Sequence, residues 1–287
     1  MKFASIVHQG QTVYGLVEQQ DIFIASAALR GSVPDLRAAI ASGDLAGIAT
    51  RLRQDGLRVP LDTASFAPVL DNPAQFFCAG LNYQKHREET SSKPREYPPH
   101  PVIFARFAST LTGHRQPIVK PRNSSVVDYE GELAVIIGKR GRHIRAADAY
   151  EHVAGYACAN DVSMRDWQMQ TSQWIPGKNF PTSCPLGPYL VTRDEAGALE
   201  DLWLRTILDG QVMQQAPFRD LIHSVPQLIA HISGFAELQP GDILLAGTPG
   251  GVGFTREPPI LLEPGKVVEV QIDRIGHLIN PVTLEPA

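Results

Sequence analysis

The rhythm of hydrophobic and polar positions changes near residue 71. Before it, Phe3 to Val7, Val13 to Val17 and Ile22 to Ile24 are short apolar runs that predict a hairpin and a third strand, and Val33 to Ser42 and Leu45 to Gln54 predict two short helices. Prolines 60, 68 and 73 punctuate the stretch Pro60 to Pro73, which reads as a linker. Beyond it, β-type runs separated by Gly and Pro dominate: Gln75 to Ala79, Val102 to Ala105, Glu132 to Ile137, Val153 to Ala159, Tyr189 to Val191, Trp203 to Leu208, Ile243 to Ala246 and Lys266 to Ile272. A clear later helix is predicted only over Val225 to Ser233, with Ser224 as N-cap and Pro226 tolerated in the first turn. Many strands and few helices predict an α+β, β-rich fold with long functional loops: a small N-terminal α/β domain over residues 1–71 and a larger β-rich domain over 72–287.

Two of these runs carry charges that a buried strand should not. In Asp128-Tyr-Glu-Gly-Glu-Leu-Ala-Val-Ile-Ile-Gly138, side chains alternate with a period of two, so Glu130 and Glu132 share a face roughly 7 Å apart, and that face continues as Ala134 and Ile136. An isolated buried carboxylate is costly unless it is paired or bound to a metal. The apolar run from Val153 likewise ends on Asn160-Asp161. If the two strands are neighbours, three carboxylates converge and repel, and a divalent cation relieves both problems. All-oxygen donors select hard ions, so Mg²⁺ comes first, then Mn²⁺ or Ca²⁺. Three negative charges against two positive ones leave room for a cation, and Lys178 in Pro176-Gly-Lys-Asn179 is the candidate. The competing reading puts Glu-x-Glu on a solvated face, and Asp161 at the end of a second apolar run weighs against it.

Further candidates lie in loops. After the run ending at Ala79, His86 and Glu89 stand three apart in a helix-compatible stretch and share a face, where the carboxylate orients the imidazole and raises its basicity. His86 is then a candidate base for water, although most such pairs in proteins are surface salt links. The proline- and charge-rich stretch Thr90 to Pro101 reads as a lid. Gly247-Thr-Pro-Gly-Gly-Val-Gly253 offers backbone N–H groups and the Thr248 hydroxyl to an anion, with a plain tight turn as the alternative.

Composition removes whole classes of function. The net charge is −4 and no basic run interleaves with aromatics, so no nucleic-acid partner is expected. No stretch approaches the roughly 18 to 20 apolar residues of a membrane span, and Met1 to Val17 lacks the apolar run of a signal peptide; no membrane association and a cytoplasmic location are expected. Cys78, Cys158 and Cys184 are widely spaced and read as reduced packing thiols.

In order along the chain, G-L-N-Y-x-x-H-x-x-E (80 to 89), D-Y-E-G-E-L-A-V-I-I-G (128 to 138), A-N-D-V-S-x-R-D-x-Q (159 to 168), G-K-N-F (177 to 180), C-P-L-G-P (184 to 188), G-T-P-G-G-V-G (247 to 253) and I-G-x-L-x-N-P-V (275 to 282) resemble the fumarylacetoacetate hydrolase family. The resemblance spans roughly Phe76 to Val282 and implies a β-rich, usually homodimeric catalytic domain with Mg²⁺ or Mn²⁺ on Glu130, Glu132 and Asp161. It also implies that His86 and Glu89 activate water, that Lys178 and Gln168 face the oxygens of a small oxo-acid substrate, and that Thr248 meets its carboxylate. Tyr83 and Arg165, inside the matching motifs, are further substrate-binding candidates. Two places depart from the family pattern. Pro181 follows Phe180 where Asp-Thr is common, and Arg106 opens a segment that in many members contains Lys-Pro, which makes it a candidate carboxylate anchor.

The expected activity is hydrolysis of a carbon–carbon bond in an acylpyruvate-like 1,3-dioxo-acid, with the metal stabilising the departing enolate. Decarboxylation of an oxo-acid such as oxaloacetate, or isomerisation of a dienoate, would use the same site, and a non-catalytic metabolite-binding protein is the rival from another class.

Overall fold

The computed structural model describes residues 1–90 and 99–286, so most of the expected lid, Thr90 to Pro101, lies outside the described residues. Its largest sheet runs in the order Leu57–Pro60, Asp21–Ile24, Gln11–Glu18, Lys2–His8, Cys184–Thr192, Val153–Asn160, Gly131–Ile137, Ile243–Leu245, Phe76–Gly80 and Val102–Ala105. A second sheet is formed by Gln211–Pro217, Trp203–Leu208, Val267–Ile272, Gly276–Leu284 and Ile118–Lys120. Few and short helices accompany this strand content, and the fold is α+β and β-rich. Among the described residues no helix is long and apolar enough to cross a membrane.

Strand alternation explains how the sheet is buried. Along Gly131–Ile137, Leu133, Val135 and Ile137 enter one apolar core with Leu228, Ile229 and Ile232 of the Val225–Phe235 helix, while Ala134 and Ile136 enter another on the opposite face with Leu52 and Leu186. The helix starts where its sequence signals place it, with Ser224 and Gln227 closing a capping box.

Residues 1–71 are not set apart from this sheet. Lys2 and Phe3 pair with Val191 and Leu190, so the first hairpin continues the central sheet. The proline-punctuated stretch is likewise packed: Ser65–Phe66 pairs with the first strand, and Val69 is buried with its N–H donating to Leu186. Prolines there end strands without freeing the chain. Helices form over Ala27–Ser32, Leu36–Ala41 and Leu45–Asp55, each begun by a side-chain cap from Ser26, Asp35 or Asp44. The expected Val33 to Ser42 helix is shortened to Leu36–Ala41, because Asp35 caps its start, and Ala27–Ser32 is a further helix before it.

Candidate active site

Antiparallel pairing of Gly131–Ile137 with Val153–Asn160 brings the carboxylates together. Gly131 lies opposite Asn160 and Glu132 opposite Ala159, and the Asp161 N–H donates to the Glu130 carbonyl at 2.8 Å. Glu130, Glu132 and Asp161 are 4%, 2% and 0% exposed, and one oxygen from each lies within 4.8 Å of the others. Glu132 shares its face with Ala134 and Ile136, as alternation requires.

Cations meet part of this charge. Lys178 Nζ stands 2.7 Å from Glu130 Oε2 and 2.6 Å from Asp161 Oδ2. Arg165 reaches Glu130 Oε1 at 2.7 Å and Asp128 Oδ2 at 2.8 Å. Arg106 pairs with Asp161 Oδ1 from below. Burial acts to raise Glu130, but Lys178 first and then Arg165 overcome it and hold the carboxyl below the usual carboxylate range. Burial alone would also discharge Lys178; Asp161 and Glu130 reverse this and hold its ammonium above its ordinary value. Glu132 differs from its neighbours. Burial first, then repulsion from Asp161 and Glu130, push it well above the ordinary range, against a smaller pull from Lys178 and the Gly247 N–H at 2.7 Å. Gly247 adopts φ +106, where glycine is favoured, to deliver that N–H.

The donor set fits a hard divalent cation. Among the described residues, Asp128, Glu130, Glu132 and Asp161 face Arg106, Arg165 and Lys178, four carboxylates against three cations, and Glu132 is the carboxylate without a fixed cationic partner. A cation shared by the three oxygens supplies what is missing, and oxygen-only ligands favour Mg²⁺, Mn²⁺ or Ca²⁺.

A cavity of about 500 Å³ opens over this cluster, with His86, Arg165, Gln168 and Lys178 on its polar side and Phe104 and Trp174 on its apolar side. His86 sits on the short helix Gln84–Glu89, whose turn brings Nδ1 to 2.7 Å from Glu89 Oε1. Because the carboxylate accepts, Nδ1 carries the proton and Nε2 presents its lone pair, 3.8 Å from Glu130 Oε1. Gln168 lines the cavity and spends its Oε1 on Arg165 at 2.9 Å, so what its amide can still offer is a donor.

Three expected substrate contacts are placed otherwise. Arg106 is 2% exposed and lies outside the cavity lining; its guanidinium holds Asp161, the Ser183 carbonyl at 2.7 Å and the Ser183 hydroxyl at 2.5 Å, which makes it a strut beneath the cluster instead of a carboxylate anchor. Tyr83, also 2% exposed and outside the lining, is turned into the interior, where its backbone bridges to Leu221. Thr248 lines the cavity, but its one hydroxyl proton goes to the Gly131 carbonyl at 2.9 Å while the oxygen accepts from Gln214 at 2.7 Å. That hydroxyl has no proton left for a substrate carboxylate.

Sequence reading also passed over two buried residues that hold the site. Asp128 accepts from Arg165 and from the N–H groups of Gly253 (2.8 Å) and Phe254 (3.3 Å), tying the glycine-rich loop to the cluster. Gln214, from the second sheet, accepts from the Gly131 N–H at 3.0 Å and donates to Thr248 and Pro249. Asp128 stood in a quoted motif as one acid more than the metal needs, which was a usable signal; Gln214 had none.

Residues 75–283 match the family model described as fumarylacetoacetate (FAA) hydrolase C-terminal. The bovine (Bos taurus) mitochondrial oxaloacetate tautomerase FAHD2A is 43% identical over 227 residues, covering 78% of this chain and 71% of that protein. A solved structure of a putative HpcE protein from Mycobacterium smegmatis superposes with a TM-score of 0.85 at 32% identity, covering 100% of both chains. Maleylpyruvate hydrolase from Sphingobium sp. SYK-6, solved in complex with manganese(II) ion and pyruvate, is 26% identical with a TM-score of 0.78, again over 100% of both chains. On this agreement of motif, fold and full-length structural likeness, the chain belongs to the fumarylacetoacetate hydrolase family, an enzyme family.

Proposed function

We propose that the chain transfers a proton on a 2-oxo dicarboxylate of the oxaloacetate class, interconverting its keto and enol forms. The observation that carries this reading is an oriented base: His86, held through Nδ1 by Glu89, turns Nε2 toward the carboxylate cluster. The name of the bovine relative supports the substrate class. Nε2 takes a proton from C3, the C–H electron pair becomes the C2=C3 bond, the C2=O π pair moves onto the 2-oxo oxygen, and that oxygen receives the proton back from His86 Nε2, directly or through water, which restores the base. A divalent cation on Glu130, Glu132 and Asp161 would supply Lewis acidity toward the 2-oxo acid oxygens. Lys178, kept charged by Glu130 and Asp161, faces the same region and steadies negative charge growing on the substrate oxygen.

Hydrolysis of an acylpyruvate carbon–carbon bond is the second reading. It is supported by the likeness to maleylpyruvate hydrolase and by a cavity of about 500 Å³, which leaves space for water beside a small acid.

The test follows enol oxaloacetate by ultraviolet absorbance with Mn²⁺, Mg²⁺ or chelator, and identifies products by NMR. Metal-dependent acceleration without cleavage is expected. His86→Ala should slow it by about 10² or more, the lower range for general-base help, while Mn²⁺ binding persists. Relaxation at the buffer rate with saturating metal would sink the tautomerase reading; acylpyruvate cleavage with heavy-oxygen water entering the acid product would select the hydrolase.

A further inference from the structure

The carboxylate that orients His86 is itself held from its other end. Glu89 Oε2 accepts from the Gly251 N–H at 2.7 Å and from the Thr255 hydroxyl at 3.4 Å. Gly251 is in turn fixed through its carbonyl, which accepts from Arg256 Nε at 3.2 Å, from an Arg256 terminal nitrogen at 3.0 Å and from the Tyr129 hydroxyl at 3.2 Å. The same terminal nitrogen of Arg256 donates to the Met213 carbonyl at 2.6 Å, so the clamp is bolted to the second sheet. Gly251 has φ +108, and a Cβ there would run into the Met213 carbonyl and approach the Arg256 guanidinium at 3.3 Å. The loop can therefore take this course only with glycine at 251.

We propose that Arg256 is a positioning residue for the reaction. By clamping the Gly251 carbonyl it aims the adjacent N–H at Glu89, and Glu89 in turn holds the His86 ring with Nε2 over the cluster. Arg256 lies outside the cavity lining and acts only through this chain of contacts. A planar guanidinium suits the task because its fixed fork reaches the two carbonyls of Gly251 and Met213 together, which a lysine ammonium cannot do with the same rigidity. Tyr129 closes the clamp from the strand side, next to Glu130, so the base and the carboxylate cluster are set against one frame. The inference rests on His86 being the base of the proposed proton transfer.

The experiment compares wild type, Arg256→Gln, Arg256→Lys, Tyr129→Phe and His86→Ala in the Mn²⁺-loaded protein with enol oxaloacetate. Arg256→Gln should lose about tenfold to a hundredfold in kcat, the cost of a base displaced by a fraction of its reach, with KM and Mn²⁺ affinity held within about twofold. Arg256→Lys should recover part of the loss, and Tyr129→Phe should show a smaller loss of the same kind. In the Mg²⁺-loaded protein, where no paramagnetic ion broadens the line, the His86 Nδ1 proton resonance, identified by its disappearance in His86→Ala, should shift in Arg256→Gln. Should Arg256→Gln not fold, Arg256→Lys and Tyr129→Phe carry the same test. Unchanged kcat in the Arg256 variants alongside a crippled His86→Ala overturns the clamp while sparing the base, as does a loss shared equally by Mn²⁺ affinity. An unaffected His86→Ala overturns both.

Discussion

Replacing Glu132 by Gln separates the metal role of the cluster from its structural cost. With the oxygens up to 4.8 Å apart and an effective dielectric of about 20, each like-charged pair costs about 3.5 kcal/mol. Glu132 faces two such neighbours, Asp161 and Glu130, and Lys178 offsets roughly one of them. About 3.5 kcal/mol remains. The metal-free protein can instead protonate Glu132, which from an ordinary carboxylate value of 4.5 costs about 3.4 kcal/mol at pH 7, so both routes give the same ceiling. The sign follows from the direction of the shift. A carboxyl whose folded value lies above its unfolded value favours folding less as pH rises beyond the ordinary carboxylate range, so the metal-free protein should weaken there. Glutamine removes the charge and keeps an acceptor for the Gly247 N–H. We expect the metal-free variant to gain about 2 kcal/mol, or about 4 °C in Tm at roughly 2 °C per kcal/mol for a chain of this size. Wild type at a Mn²⁺ concentration of about 100 Kd should rise by about 2.7 kcal/mol, about 5 °C, and the variant should lose that rise. Thermal scans with chelator and with Mn²⁺ decide it. A variant that melts lower without metal yet keeps its Mn²⁺-dependent rise refutes the reasoning.

Thr248→Val should cost about 1 to 3 kcal/mol of stability, the penalty for stripping partners from Gln214 and Gly131, while KM for the substrate stays near wild type; a large rise in KM with intact stability would restore the hydroxyl to substrate binding. His114 is pushed down to about 4 by burial first, then by Arg115 and His277, and its Nδ1 accepts the Ile279 N–H, which only the neutral ring can do. Stability present above the unfolded value of 6.5 should therefore drain as pH falls toward 4, by at most about 2 kcal/mol at pH 5. Urea unfolding at pH 7 and pH 5 measures the loss, and His114→Asn should flatten the difference.

Periodicity made the cluster legible. Once Glu132 shared a face with Ala134 and Ile136, a carboxylate inside a sheet demanded company, and Asp161 at the end of the next apolar run supplied it. Where polar residues face inward, the same logic failed. Gln211–Pro217 carries buried Gln214 beside Met213 and so has no alternation to read, and Gly276–Leu284 contains Pro281, which argues against a strand until its neighbours are known. Gln214 reaches a backbone group 83 residues away, a pairing that local spacing cannot encode. Arg106 was misread for a related reason. An arginine meant for a substrate and one meant for Asp161 look alike in one dimension, and only its burial tells them apart. The break at residue 71 was a change in texture, and texture is silent on whether two segments share a sheet.

That shared sheet also sets a timetable for the growing chain. Phe3 cannot meet Leu190 until nearly two thirds of the protein has left the ribosome, and at about 5 to 20 residues per second this is a wait of about ten to forty seconds. Its hairpin partner, Gln11–Glu18, emerges at once and can shield one edge in the interval. The other edge is covered at Ile6 and Val7 by Ser65–Phe66 but stays open at Lys2 and Phe3 until Cys184–Thr192 arrives, and the active cavity waits longer still, for Thr248 and Phe254 of its lining.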